Sequence, residues 1–157
     1  TTWILENQEL GKTARHYFLG ATPDTMNKLL NQIVKRFPTA QVVGHDCPPF
    51  REPTAQELNE RDQRIKDSGA TVVWVGLGTP KQDFEVQRLA DNMKITAIAV
   101  GAAFDFLAET VPQAPQWIQK SGLEWGYRLA REPRRLAKRY FWGNPQFIKS
   151  VFTHRND

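Results

Sequence analysis

The stretch TVVWVGLGTPKQ, residues 71–82, decides the fold. An apolar segment ends in Gly76 and runs directly into a helix-start signal at Thr79-Pro80, the punctuation of a β-strand followed by a crossover helix. Working outward, the same pattern recurs in HYFLG at 16–20, AQVVG at 40–44 and ITAIAVG at 95–101. Four strands ending in Gly20, Gly44, Gly76 and Gly101 describe the carboxyl edge of a parallel sheet. Ligands of open α/β sheets bind at such an edge, where glycine lets the backbone turn tightly and approach them. The loops to read for function are therefore 20–24, 44–50, 76–82 and 101–106.

Between these strands the helices are well marked. Met26, Leu29, Leu30, Ile33, Val34 and Phe37 recur at i, i+3, i+4, i+7 spacing behind a Thr22-Pro23 start and before Pro38. A second helix opens on the capping box Thr54-Ala55-Gln56-Glu57 and runs to Ser68-Gly69. A third opens at Thr79-Pro80-Lys81-Gln82 and runs to about Asn92. Strands alternating with helices imply right-handed crossovers, hence an α/β fold: a Rossmann-like parallel sheet with helices on both faces. This core is expected over residues 1–113. Beyond it only helices are expected, over 114–121, 123–131, 133–142 and from Pro145, forming a C-terminal appendage over 114–157.

The chain has 157 residues and one cysteine, Cys47, so no disulfide can form within it, which fits a reducing compartment. No apolar run approaches the ~18 residues a spanning helix needs. The opening Thr1-Thr2-Trp3, without an initiator methionine, is expected of a trimmed or incomplete protein. The net charge of +4 is unevenly placed: residues 1–116 carry −2 and residues 117–157 carry +6. The same tail holds Trp117, Trp125, Tyr127, Tyr140, Phe141, Trp142, Phe147 and Phe152. Cationic and aromatic side chains together suit a phosphate-rich partner, an anionic membrane surface or a nucleic acid. The densest cluster is Arg128, Arg131, Arg134, Arg135 and Arg139, and guanidinium groups bind phosphate bidentately.

Within the loops, 76–82 places a helix N-terminus and the charge of Lys81 at the sheet edge, a site that fits a diphosphate. It matches neither the GxxxxGK[ST] phosphate loop nor the GxGxxG fingerprint, so ATP hydrolysis and NAD binding are not favoured. The plainer alternative is that Thr79 and Gln82 only cap the helix and Lys81 is solvated. Asp105, in the apolar segment GAAFDF at 101–106, needs hydrogen-bond donors from the backbone or from a ligand's hydroxyl or imide groups. His45, Asp46 and Cys47 are adjacent in a Pro-rich loop and lack metal-ligand spacing, so no metal site is expected. His16, in a strand, and His154, in the tail, do not recommend themselves as bases.

Taken together, Pro48-Pro-Phe-Arg51, Val75-Gly-Leu-Gly-Thr-Pro-Lys-Gln82, Val100-Gly-Ala-Ala-Phe-Asp-Phe106, Val111-Pro-Gln-Ala-Pro115, Gly122-Leu-Glu-Trp125 and Glu132-Pro-Arg-Arg-Leu136 closely resemble, in order and spacing, the WecG/TagA/CpsF family of bacterial glycosyltransferases. The resemblance covers roughly residues 16–150. It implies transfer of an N-acetylated amino sugar of the mannosamine type from a UDP-sugar to an undecaprenyl-diphosphate-linked sugar, in teichoic-acid or other cell-surface polysaccharide synthesis. It further implies a metal-independent, cofactor-free enzyme, held peripherally at the cytoplasmic face of the membrane by its appendage. Residue by residue, it puts Gly20, Ala21, Lys81, Gln82 and Asp105 around the donor, with Gln82 near the reacting sugar as the catalytic-site residue. Arg128, Arg134, Arg135 and Arg139 would hold the donor diphosphate or the lipid diphosphate.

Departures from the family pattern are Asp83 in place of the usual Glu and Glu109 in place of a usual Gly. Family members usually also carry a further N-terminal region that supplies an aspartate proposed as the base, and this chain is expected to lack it: either the sequence is a fragment of an active transferase whose base falls outside it, or another carboxylate serves, or the protein binds donor without turnover. Two other classes stay open at this stage: a non-catalytic nucleotide-binding module with a membrane-docking tail, and a nucleic-acid-binding domain, which no recognised motif supports. Homo-oligomerisation is left open.

Overall fold

A computed structural model describes residue 5 and residues 14–110, all within the first of the chain's two units, Thr1–Pro112. The elements are β1 (Arg15–Gly20), α1 (Pro23–Arg36), β2 (Gln41–Asp46), α2 (Ala55–Ser68), β3 (Val72–Gly76), α3 (Lys81–Met93), β4 (Thr96–Ala99) and α4 (Ala103–Leu107). The expected helical appendage over 114–157 lies outside the described residues.

The four strands form one all-parallel sheet in the order β2-β1-β3-β4. The chain therefore moves one way from β1 to β2 and the other way from β2 through β3 to β4. With right-handed crossovers, that reversal puts α1 on one face and α2 and α3 on the other. Side-chain parity along the strands agrees. Phe18 and Trp74 point into a cluster with Met26, Leu29, Ile33 and Phe37 from α1, together with Phe104 and Leu107 from α4. Their neighbours Tyr17, Leu19, Val73 and Val75 point the other way, against Ile65 of α2 and Leu89 of α3. Leu5 also joins the α1-side cluster. Full burial of each such large apolar side chain contributes about 1.5–3 kcal/mol, so two cores of this kind fix the register of both central strands.

Local signals set the helix ends. Thr22 caps α1, with Pro23 in its first turn, and its hydroxyl accepts from the Thr25 amide at 3.3 Å. The capping box at the start of α2 is complete: the Glu57 amide donates to Thr54 Oγ1 at 3.2 Å, and the Thr54 amide donates to Glu57 Oε2 at 2.8 Å. Arg51 grips the same carboxylate, and the two sets of bonds hold Glu57 down to about 2, the Arg51 bond weighing most. Gly69, in a left-handed conformation, closes α2.

Three details differ from expectation. Gly44 does not end β2, which continues to Asp46; a Cβ at Gly44 would stand 2.5 Å from the Tyr17 ring, so this glycine makes room for a neighbour. Val34 keeps the helical spacing of α1 yet is 69% exposed, because the face that packs is Met26, Leu29 and Ile33. Asp105 lies not in a loop but in the short helix α4.

Candidate functional site

The point where strand order reverses lies between β1 and β3, and open α/β sheets bind ligands in the crevice beyond the strand ends there. Gly20 and Gly76 pair across that point. Gly20 has φ 129°, and a Cβ on it would lie 2.4 Å from the Gly76 carbonyl oxygen. No side chain fits. A Cβ on Gly76 would in turn lie 2.5 Å from the Phe104 ring. Ala21 follows with φ 60°, a left-handed conformation that costs a non-glycine residue roughly 1–2 kcal/mol, and its amide donates to the Gly76 carbonyl at 3.4 Å. Strained backbone of this kind concentrates at functional sites.

On the far side of the crevice, the loop after β3 leads through Gly78, at φ 78°, and a cis Thr79-Pro80 bond into α3. Pro80, not Thr79, is the N-cap residue, and no side chain caps this helix. Gln82 is 7% exposed. Its Oε1 accepts from the Gly101 amide at 3.0 Å and its Nε2 donates to Thr79 Oγ1 at 3.3 Å. It thus ties the loop after β3 to the loop after β4 and does not cap α3. The amides of Gln82 and Asp83 already donate to the Gly78 and Pro80 carbonyls at 2.9 and 3.0 Å. What α3 offers a ligand is therefore mainly its dipole end and Lys81, less a row of free donors. Lys81 is half exposed and pairs with Glu52 at 2.9 Å, which draws the loop after β2 beside the start of α3.

Gly20 and Ala21 thus stand at the end of β1 against Gly76 of β3, while Lys81 and Gln82 stand at the start of α3, joined to Glu52 and to Gly101 respectively. Asp105 is half-buried in the first turn of α4, whose neighbour Phe104 packs under Gly76. Its backbone carbonyl accepts from the Thr110 amide and hydroxyl at 3.0 and 3.1 Å. Arg128, Arg134, Arg135 and Arg139 lie outside the described residues. Among the described residues, no group of three His, Cys, Asp or Glu side chains is arranged to hold a metal ion, and no helix is long and apolar enough to cross a membrane.

Sequence reading missed a charged network beneath this edge. Arg61, 4% exposed, donates from Nη2 to Glu85 Oε1 at 2.8 Å, joining α2 to α3. Arg88 adds bonds of 2.7 and 2.6 Å to Asp62 and of 3.0 and 2.9 Å to Glu85, and these carboxylates push its guanidinium pKa well up. Also missed was the pairing of Asp46, at the end of β2, with Arg64 at 2.6 Å. Beside it lies a cavity of about 120 Å³ lined by residues of the loop after β2 and of α2, among them Cys47, Pro48, Pro53, Glu57 and Arg61. Burial, and then the charge of Asp46, push the Cys47 thiol up.

Comparison with known proteins bears on this geometry. The family described as "Glycosyl transferase WecG/TagA/CpsF family" matches residues 4–157. An N-acetylglucosaminyldiphosphoundecaprenol N-acetyl-beta-D-mannosaminyltransferase of Bacillus spizizenii (strain ATCC 23059 / NRRL B-14472 / W23) is 26% identical over 144 residues, which are 91% of this chain and 53% of that protein. The protein of the same description from Bacillus subtilis (strain 168) is 26% identical over 128 residues, 81% of this chain and 48% of its own length. The chain spans about half the length of these curated relatives.

Proposed function

The chain belongs to the WecG/TagA/CpsF family of glycosyl transferases, and from that premise we propose that it takes part in moving an N-acetylated amino sugar, of the mannosamine type, from a UDP-sugar to an undecaprenyl-diphosphate-linked N-acetylglucosamine. The observation that carries this reading is the crevice at the β1/β3 reversal, whose wall is main chain because Gly20 and Gly76 leave no room for side chains. A diphosphate can approach such a wall closely, with Lys81 and the dipole end of α3 on its far side.

The chemistry is a single displacement. A base removes the proton of the acceptor hydroxyl, the oxygen attacks the anomeric carbon of the donor, and UDP leaves with the bonding pair. The leaving diphosphate gains negative charge as the bond breaks, so cations fixed around it stabilise the transition state. Lys81 is one such cation, and in this proposal Arg128, Arg134, Arg135 and Arg139 bind the donor diphosphate or the lipid diphosphate of the acceptor, in place of a metal. Gln82 acts by bracketing the two loops that face the donor. Asp105 accepts from a hydroxyl or imide group of the donor.

Peripheral attachment to the inner membrane face belongs to the same proposal. It is supported by the basic, aromatic composition of residues 117–157 and by Phe50, 87% exposed in the loop that Glu52 anchors to Lys81.

Calorimetric titration with UDP, with and without Mg²⁺ and with ADP as control, tests the donor site. Selective binding of UDP that is indifferent to Mg²⁺ is expected. Equal binding of ADP, or a requirement for Mg²⁺, would overturn the reading.

A further inference from the structure

Next to the crevice, at the end of β2, lies the cavity of about 120 Å³. Asp46, the last residue of β2, pairs in register with Leu19, the residue before Gly20, so the cavity opens one strand over from the glycine pair, about 5 Å along the sheet edge. Asp46 lines it with a side chain that is 20% exposed. Among the described residues this carboxylate takes one bond, from Arg64 Nη2 to Oδ2 at 2.6 Å, whereas an ionised carboxylate has about four lone-pair positions. Acceptor capacity is therefore left on a surface that a ligand can touch. Glu57, the other carboxylate of the lining, is engaged by Arg51 and by the Thr54 amide. Two carboxylates repel a phosphate, so the wall suits a group that donates hydrogen bonds. Pro48, Pro49 and Pro53 add apolar rings on which the carbon face of a sugar can lie.

We propose that this cavity is the ribose pocket of the donor nucleotide, the 2′- and 3′-hydroxyls donating to the Asp46 carboxylate and the ring lying against the prolines. The inference rests on the proposed function and deepens it. A nucleotide whose diphosphate lies over Gly20 and Gly76 extends to both sides of the strand reversal, one half over β2 and the other over β4. In sheets that bind dinucleotides, an acidic side chain one βα unit beyond the glycine turn accepts from the ribose hydroxyl, and Asp46 holds that place here. Size points the same way. The volume is about the share of four liquid waters, room for a pentose ring and too little for a hexose that carries an acetamido group. The transferred sugar then falls on the other side, toward the loops after β3 and β4 that Gln82 ties together.

Calorimetry on the full chain compares UDP with 2′,3′-dideoxy-UDP. UDP is expected to bind about tenfold more tightly, because its hydroxyls make charge-assisted bonds that the analogue lacks. Asp46→Asn keeps an oxygen for Arg64 and removes the charge. It is expected to bring the two affinities to about the same value, with 2′,3′-dideoxy-UDP binding the variant as it binds the parent. A side chain that only braces Arg64 would weaken both nucleotides together and leave their ratio unchanged, which would overturn the role given to Asp46.

The parent protein gives a second readout, free of any substitution. Cys47 lines the cavity and is the chain's one cysteine, so mass spectrometry can follow its alkylation by iodoacetamide at alkaline pH with UDP or inorganic diphosphate present. Shielding by UDP and not by diphosphate is expected. Equal shielding by diphosphate would put phosphates in the cavity and overturn the proposal, as would bound UDP that leaves Cys47 fully reactive. Equal affinity of the parent for UDP and its dideoxy analogue would sink the ribose pocket and leave the proposed function standing. If neither nucleotide binds, the proposed function falls and the pocket falls with it.

Discussion

The amide of Gly101 donates to Oε1 of Gln82 across 3.0 Å, and this bond joins the loop after β4 to the loop after β3. Gln82→Ala would leave a half-buried amide without its acceptor, a loss of about 1–3 kcal/mol. Gln82→Glu keeps an oxygen for Gly101 and lets the Thr79 hydroxyl donate in its turn. We therefore expect faster amide exchange at Gly101 and a lower melting temperature in Gln82→Ala, with Gln82→Glu close to the parent. An unchanged exchange rate in Gln82→Ala would mean the two loops are held by other contacts.

At the crevice wall, Gly20→Ala would force a Cβ to within 2.4 Å of the Gly76 carbonyl at a φ of 129°. The clash is with backbone, so β1 and β3 must part at their ends. The expected cost exceeds about 2 kcal/mol, and UDP affinity should fall more than about tenfold. Calorimetry on the folded fraction, checked by circular dichroism, measures both. Full UDP affinity in a folded Gly20→Ala protein would place the nucleotide elsewhere.

His16 is wholly buried, and its Nδ1 accepts from Trp74 Nε1 at 3.2 Å. Burial lowers its pKa below 6.5. The unfolded chain takes up this proton near pH 6.5, whereas the folded chain resists it until lower pH. Stability from this group is therefore present above pH 6.5 and is lost as pH falls through the window down to the folded-state value, by at most about 1.4 kcal/mol per pH unit. Urea unfolding at a series of pH values should show this slope, and His16→Gln should flatten it. An equal slope in the variant would assign the loss to other groups.

For the basic tail, replacing Arg134, Arg135 and Arg139 with Ala is expected to weaken adsorption to vesicles of anionic lipid. The loss should be about 1 kcal/mol per charge at low salt and should shrink as salt is added. Co-sedimentation measures it. Partitioning that is indifferent to the three substitutions would remove the membrane role from these residues.

The parallel sheet was legible because its signals are local: an apolar run, a glycine, then Thr22-Pro23 or the Thr54–Glu57 box. Where the reading strayed, the cause was distance along the chain. Gly44 resembled the other strand-end glycines, and only the Tyr17 ring of the adjacent strand gives it a different reason to be glycine. Arg61, Glu85, Arg88 and Asp62 drew no reading at all, since nothing in either helix alone says that α2 and α3 will press these groups together. Asp105 escaped assignment to a helix because α4 has no side-chain cap and only five residues. Gln82 was singled out, but as a group near the reacting sugar. That it spends both ends of its amide on the protein could be learned only from the fold.

The close approach of Gly20 to Gly76 has a consequence for how such a site diversifies. A wall made of main chain has no side chain to exchange, so mutation at these two positions can abolish the crevice but cannot retune it. Any change of preferred sugar among proteins built this way must then arise in the segments that surround the wall: the loop after β2, the start of α3 and α4. The inherited part of the site is its backbone, and the part free to innovate is its rim.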